Sequence, residues 1–195
     1  SANPFGYLSP TRAEHVARML GHRVDFILDG GNCDIGVEST VLDVTGERPL
    51  LLRPGGLPLG AIEAVCGRIE IVDRLVAQPT SPGQLESHYA PRAPLHLLAA
   101  GGLSGAPLGE GAALLFFDAS SRDAFHDSRA SDQATPGFER VLSEGGDLRE
   151  AAANLFEALH DFDLGGCREI WAERVPDSGL GHAVNDRLWK ASAKG

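Results

Sequence analysis

Methionine, cysteine, basic residues and long apolar runs are all scarce in this 195-residue chain. Its single methionine is Met19, inside an expected helix, and the chain opens on Ser1-Ala2-Asn3-Pro4. That opening has neither the basic n-region nor the apolar h-region of a secretory leader, and it reads as the start of a trimmed or processed piece. No apolar run approaches the ~18 residues of a transmembrane helix. The three cysteines, Cys33, Cys66 and Cys167, are odd in number and far apart. They suit neither a disulfide framework nor a zinc site, and reduced thiols in a cytoplasmic protein are expected. Lys and Arg total 17 against 27 Asp and Glu, a net charge of −10, so a phosphate-gripping nucleic-acid surface is not expected.

Several catalytic signatures are missing too. No H-E-x-x-H or P-loop occurs, and Gly102-Leu103-Ser104-Gly105-Ala106 ends in Ala where a nucleophile elbow needs Gly. Gly179-Leu180-Gly181 begins a dinucleotide fingerprint that Val184 fails to complete.

What is present is an ordinary globular mix, 43% hydrophobic and 23% charged, enough for one large domain or two small ones. Ala13, Val16, Ala17 and Leu20 have the spacing of a helix with one buried face, opened by a Thr11/Glu14 capping box and closed at Gly21. Val24 to Leu28 reads as a strand ending in Asp29-Gly30-Gly31. Thr40 to Val44 and Leu50 to Leu52 read as an antiparallel hairpin, followed by a short helix around Ala61 to Cys66 and a strand at Ile69 to Val72. Residues 76–94, with Ser81-Pro82-Gly83 and Tyr89-Ala90-Pro91-Arg92-Ala93-Pro94, read as a linker between a unit at 1–75 and another at 95–195.

In the second unit, strands are expected at Leu95 to Leu98, Ala112 to Phe117 and Glu169 to Ala172. The polar stretch from Ala119 to Gly137 reads as a loop or frayed helix. Asp147 and Glu150 cap a helix running to His160, and Leu180 to Ala191 reads as a closing helix. The alternation predicts a small layered α/β domain.

Five segments carry candidate chemistry. Ser1-Ala2-Asn3 and Ser9-Pro10-Thr11 place short hydroxyl and amide side chains beside a helix start, which suits either a phosphate cradle or plain capping. Gly36-Val37-Glu38-Ser39-Thr40 enters a strand, which suits either Ser39 at a ligand or a plain strand end whose polar groups bond to backbone. Arg53 follows an apolar run and precedes Pro54-Gly55-Gly56, a setting for bidentate phosphate or carboxylate binding or for a surface ion pair. Tyr89, with His88, lies in the linker, either as part of a lid or as an inert spacer.

Taken in order, Ser1-Ala2-Asn3, Ser9-Pro10-Thr11, Val37-Glu38-Ser39-Thr40-Val41 and Leu52-Arg53-Pro54-Gly55 resemble the threonylcarbamoyl-AMP synthase family, with its YrdC-like catalytic domain. Ser87-His88-Tyr89-Ala90-Pro91 and the tail from Glu173-Arg174-Val175-Pro176 through Asn185-Asp186-Arg187-Leu188 resemble the longer branch with an extra C-terminal domain. The resemblance implies the C-terminal portion of a YrdC-like α/β domain (1–75), a linker (76–94) and a Rossmann-like C-terminal α/β domain (95–195).

It also implies a reaction. L-threonine and bicarbonate give N-carboxythreonine, which attacks the α-phosphate of ATP and expels diphosphate, with Mg²⁺ accompanying the ATP. The product passes to a separate tRNA-modifying complex, with weak or no direct tRNA binding and no membrane contact. By similarity, Ser1, Asn3, Ser9, Arg53 and Tyr89 are ATP ligands and Ser39 a threonine-side ligand. The family's K-x-R motif precedes the S-x-N motif at which this chain begins, so the chain is expected to be inactive alone. The alternative is a non-catalytic nucleotide-binding or protein-docking module.

Overall fold

The computed structural model describes residues 2–71, 89–129 and 136–193. Two sheets organise them. The first contains β1 (Val41–Asp43), β2 (Leu50–Arg53) and β3 (Glu70–Ile71), in that order. β1 and β2 form the expected antiparallel hairpin, with an irregularity between Val41 and Leu42, and β3 runs parallel to β2. Helix α1 (Ala13–Leu20) precedes this sheet and α2 (Leu59–Cys66) joins β2 to β3.

The second sheet is all parallel, in the order β4 (Leu95–Leu98), β7 (Glu169–Glu173), β5 (Ala112–Phe116), β6 (Phe138–Val141). Its strands are covered on both faces, as parallel strands require. Alternation along β5 shows this directly. Ala113 and Leu115 join a core with Leu155, Phe156, Leu159, Val184 and Leu188 from α4 (Leu148–Gly165) and α5 (Gly181–Ser192). Leu114 and Phe116 point to the opposite core, with Leu103 and with Phe125 of α3 (Ala119–Ser128). The result is the layered α/β arrangement expected for the C-terminal part.

Four local expectations need correcting. Val24 to Leu28 is not a strand; it has no ladder partner among the described residues, and Phe26 and Leu28 are almost fully exposed. The Thr11/Glu14 capping box does not form. Arg12 takes the N-cap position without a side-chain cap bond, and Thr11 turns inward to His15. The buried residue of α1 is accordingly His15, while Ala17 is exposed and Val16 and Leu20 are half-buried. Lastly, the polar stretch after Phe117 contains helix α3 and leads into strand β6. Asp118 and Ser121 form a reciprocal capping box that starts α3, and Phe125 alone is fully buried on it. A helix anchored by one apolar side chain leaves no 3.6-residue pattern to read.

Asp147 caps α4 as expected, accepting from the Glu150 N–H at 2.8 Å. The Glu150 carboxylate turns instead to the Ser143 hydroxyl at 2.5 Å.

The two parts share a core. Leu8 is fully buried against the α4 and α5 side of the second sheet, together with Tyr89. Gly36, at φ +75, lies so close to the Ala152–Ala153 backbone of α4 that a Cβ would collide with it. Only glycine meets both demands. Among the described residues no helix is long and apolar enough to cross a membrane.

Candidate functional site

The sequence-predicted residues converge at this shared core. Ser9 is buried and is held from two sides. Its hydroxyl donates to Glu38 Oε1 at 2.5 Å, and its carbonyl lies 3.1 Å from Nε2 of His160 on α4. Burial lowers the His160 pKa, so the neutral ring donates its Nε2 proton to that carbonyl.

Glu38 accepts from Arg187 Nε at 2.7 Å through its other oxygen. Arg187 belongs to α5, and its side chain is fully inaccessible to solvent. Its Nη1 donates to Asp186 at 2.5 Å, and Asp186 also accepts from Lys190 Nζ at 2.7 Å. Burial pushes the Glu38 carboxyl up, but the Arg187 charge and the bonds from Ser9 and Arg187 outweigh it, leaving Glu38 below the usual carboxylate range. The Arg187 guanidinium is held protonated against a large burial cost by Glu38 and Asp186. A charge this deep requires such pairing.

Over the same guanidinium lies Tyr89, its ring centroid 4.9 Å from Arg187 Cζ. Tyr89 is almost completely buried and adopts φ +61, the one non-glycine residue with positive φ among those described. A bulky side chain in this region is disfavoured and persists where its surroundings fix it. The fixing contacts are the Arg187 guanidinium on the ring, Phe156 at 5.7 Å between centroids, and the Ala90 N–H bonded to the Gly6 carbonyl at 3.0 Å. Burial raises the Tyr89 phenol, partly offset by the charges of Arg187 and Arg53 and by a hydrogen bond from Arg53.

Arg53, at the end of β2, is 9% exposed. Its Nε and Nη2 both donate to the Ser39 carbonyl, at 3.1 and 2.9 Å, and Nη2 reaches the Ser39 hydroxyl at 3.3 Å. The turn after β2 makes this possible. A Cβ on Gly55 would strike the backbone of Glu38, Ser39 and Thr40, so only glycine lets the 53–56 segment lie against 38–40. Ser39 itself is exposed and lines a hollow of about 580 Å³ with Ile35, Val37, Leu42, Leu57 and Ile62.

Ser9, Ser39, Arg53 and Tyr89 are thus drawn into one cluster. Asn3 lies in the neighbouring turn, where its Nδ2 donates to the Tyr7 carbonyl at 3.1 Å and its Oδ1 is buried without a partner among the described residues. Ser1 and His88 lie outside the described residues. A second cleft of about 550 Å³, lined by Tyr7, His15, Arg18, Arg92, His160 and Asp163, adjoins the cluster through His160.

Sequence reasoning assigned no role to Glu38 or Arg187. For Arg187 a signal existed: Leu180, Ala183, Val184, Leu188 and Ala191 form an apolar stripe, and Arg187 stands within it. A charge on a buried face implies a buried partner.

A parallel-sheet α/β domain whose closing helix completes a polar cluster in a smaller hairpin-based unit defines a two-part α/β protein. Residues 58–193 match the family model described as "Threonylcarbamoyl-AMP synthase, C-terminal domain", and residues 1–55 match the model described as "Telomere recombination". The chain belongs to the threonylcarbamoyl-AMP synthase family. It is 40% identical to the threonylcarbamoyl-AMP synthase of Bacillus subtilis and 39% identical to that of Pyrococcus abyssi, in each case over 98% of this chain and 56% of the relative. The crystal structure of P. abyssi Sua5 complexed with L-threonine is 36% identical, with a TM-score of 0.75, over 98% of this chain and 56% of that one. A variant of that protein with adjacent histidine and tyrosine residues replaced by alanine gives 34% and 0.73. The chain therefore spans about half the length of the relatives it matches.

Proposed function

We propose that this chain supplies the nucleotide side of a threonylcarbamoyl-AMP synthase, in which L-threonine, bicarbonate and ATP give threonylcarbamoyl-AMP and diphosphate. The observation that carries this reading is the convergence of Ser9, Ser39, Arg53 and Tyr89 on one buried polar cluster, from four separate stretches of sequence.

In the proposed reaction the amine of threonine first takes up bicarbonate to form the N-carboxy compound, losing water. Its new carboxylate attacks the α-phosphorus of ATP, and the bond to the bridging oxygen breaks to release diphosphate. Such a step needs positioning and neutralisation of phosphate charge more than a protein nucleophile. Arg53 is suited to this, since its planar fork already spans two acceptors on Ser39 that a phosphate could replace. The Tyr89 phenol is the neutral donor beside it, and the Ser9 oxygen, its proton committed to Glu38, is left to accept from a ribose hydroxyl or the adenine amine. The hollow beside Ser39, apolar on most sides, would accept the threonine side chain, as the threonine-bound structure of the relative encourages.

Among the described residues no three His, Cys, Asp or Glu side chains are grouped to hold a metal ion. The donor set therefore fits a Mg²⁺ held mainly by ATP phosphates and water, the usual manner for this ion. The alternative, a nucleotide site within the C-terminal domain, is disfavoured by Glu173. That carboxylate is buried at the C-terminal end of β7 and accepts from the Gly101 and Phe117 N–H groups, at 2.8 and 2.9 Å. An anionic ligand at the carboxyl ends of these strands, the usual place in such sheets, would meet a carboxylate already there.

The test is calorimetric titration of MgATP into this chain and into its Arg53→Ala variant at low salt. Binding by the chain with at least a tenfold loss in the variant is expected, about 1.4 kcal/mol. Equal affinities would refute the role of Arg53, and binding by neither would refute the nucleotide-site reading for this chain.

A further inference from the structure

Arg187 is the most deeply buried charge in the molecule's shared core, and the proposed reaction gives it no task. Its Nε and Nη1 are committed to Glu38 and Asp186, and its Nη2 is buried without a hydrogen-bond partner among the described residues. A guanidinium with an orphaned nitrogen is costly, and a stripe of aliphatic residues could fill this position on α5 more cheaply. The cost makes sense only if the planar cation does something that packing alone would not.

Two groups meet it, one from the first part of the chain and one from the linker. One is Glu38, which fixes the Ser9 hydroxyl through its second oxygen. The other is Tyr89, whose ring faces the guanidinium while its backbone sits at φ +61. The flat cation thus serves both neighbours at once. Its edge bonds a carboxylate and its face meets an aromatic ring, a combination that Lys cannot reproduce.

We propose that Arg187 is a positioning residue for the nucleotide side of the site: from the C-terminal domain it sets the conformation of Tyr89 and, through Glu38, the orientation of the Ser9 hydroxyl. The proposal rests on the nucleotide reading of Ser9 and Tyr89 given above. Arg187 touches no substrate and acts only through these two residues. The C-terminal domain thereby contributes to nucleotide affinity without offering a ligand of its own.

The experiment exploits the presence of only two tyrosines, Tyr7 and Tyr89. In the chain labelled with ring ¹³C-tyrosine, Tyr7 is an internal reference, since its hydroxyl is held by Asp163 at 2.5 Å, away from Arg187. Arg187→Lys keeps the positive charge between Glu38 and Asp186, so it is expected to fold. The Tyr89 resonance should shift or broaden while the Tyr7 resonance stays, and the Kd for MgATP should rise about tenfold, the range expected from losing a desolvated cation–π contact. Because the Tyr89 part of the effect is already lost and only the part through Glu38 and Ser9 remains, the same substitution made in a Tyr89→Leu background should weaken binding further by less than about threefold.

Asn185→Ser is the control for general loosening of α5. Asn185 holds the Val175 backbone at 3.0 and 2.9 Å, so this variant should melt earlier yet leave the Tyr89 resonance and the Kd in place. An unchanged Tyr89 resonance in Arg187→Lys, or an equal loss of affinity in both tyrosine backgrounds, overturns the proposal. If the unaltered chain itself fails to bind MgATP, the nucleotide reading is what fails. The tyrosine spectrum then decides by itself whether Arg187 sets the Tyr89 conformation.

Discussion

Arg187 Nε and Glu38 Oε2 lie 2.7 Å apart although 149 residues separate them in sequence. Each offsets part of the other's burial cost, and their pairing joins the closing helix of the C-terminal domain to the segment that enters β1. Four expectations follow from this junction and its surroundings.

Glu38→Gln should destabilise the chain by about 3 kcal/mol, since removing one partner of a buried pair leaves the other uncompensated. The value stands at the lower end of that range because the Glu38 side chain keeps 21% exposure and Asp186 still pairs with Arg187. Urea denaturation at neutral pH provides the measurement. A change within about 0.5 kcal/mol, the range of ordinary surface substitutions, would mean that the pair does not hold the two parts together.

Gly55→Ala should cost on the order of 1–3 kcal/mol by overpacking, because its Cβ meets the Glu38, Ser39 and Thr40 backbone rather than a side chain that could move. It should also weaken MgATP binding, because the turn that sets the position of Arg53 against the 38–40 segment shifts. Gly60→Ala, in α2 with nothing near its Cβ, should instead stabilise by up to about 1 kcal/mol through helix propensity. Equal effects of the two substitutions would contradict the close approach at Gly55.

Stability should fall on acidification in two stages. Burial, with the neighbouring His160, Arg12 and Arg18, lowers the His15 pKa to about 4, against a smaller upward pull from Asp161. The unfolded chain therefore takes up a proton on this ring from about pH 6.5 downward while the folded chain does not, and stability drops between about pH 6.5 and 4. Glu38 has a depressed pKa, so its contribution is complete above its unfolded value and is lost as pH falls through the folded one. His15→Gln should reduce the slope of the first stage, leaving the part carried by His160, whose pKa burial also lowers, and should leave the second stage, as followed by thermal melts across pH 3.5 to 7.5. An unaltered slope between pH 6.5 and 4 in that variant would remove His15 as its source.

Glu173→Gln should cost about 1–3 kcal/mol, because an amide can accept one of the two N–H groups but turns a donor toward the other. MgATP affinity should stay unchanged. A large change in affinity would place the nucleotide in the C-terminal domain after all.

Legibility in the sequence followed how locally each feature is encoded. The β1–β2 hairpin, α2, β4, β5, α4, β7 and α5 were readable because apolar periodicity and turn residues sit within each segment. The run Phe26-Ile27-Leu28 misled, since a strand needs a ladder partner that no local pattern can guarantee. Helix α3 was obscured because one residue, Phe125, carries its burial. At the site, Ser9, Ser39, Arg53 and Tyr89 stood out by residue type and motif. Their convergence depends on the Glu38–Arg187 pair and on the approach of Gly36 to Ala152, contacts that span 149 and 116 positions; the charge of Arg187 within an apolar stripe is readable locally, but the identity of its partner is not.

The shared core also bears on the order of synthesis. Ser9, Glu38 and Tyr89 emerge from the ribosome long before Arg187, so the nascent chain carries an unpaired Glu38 and an unanchored Tyr89 until α5 has been translated and has docked. Translation of the closing helix thereby becomes the event that completes the cluster, and a message truncated before the Arg187 codon yields a chain in which Glu38 and Tyr89 lack their common partner.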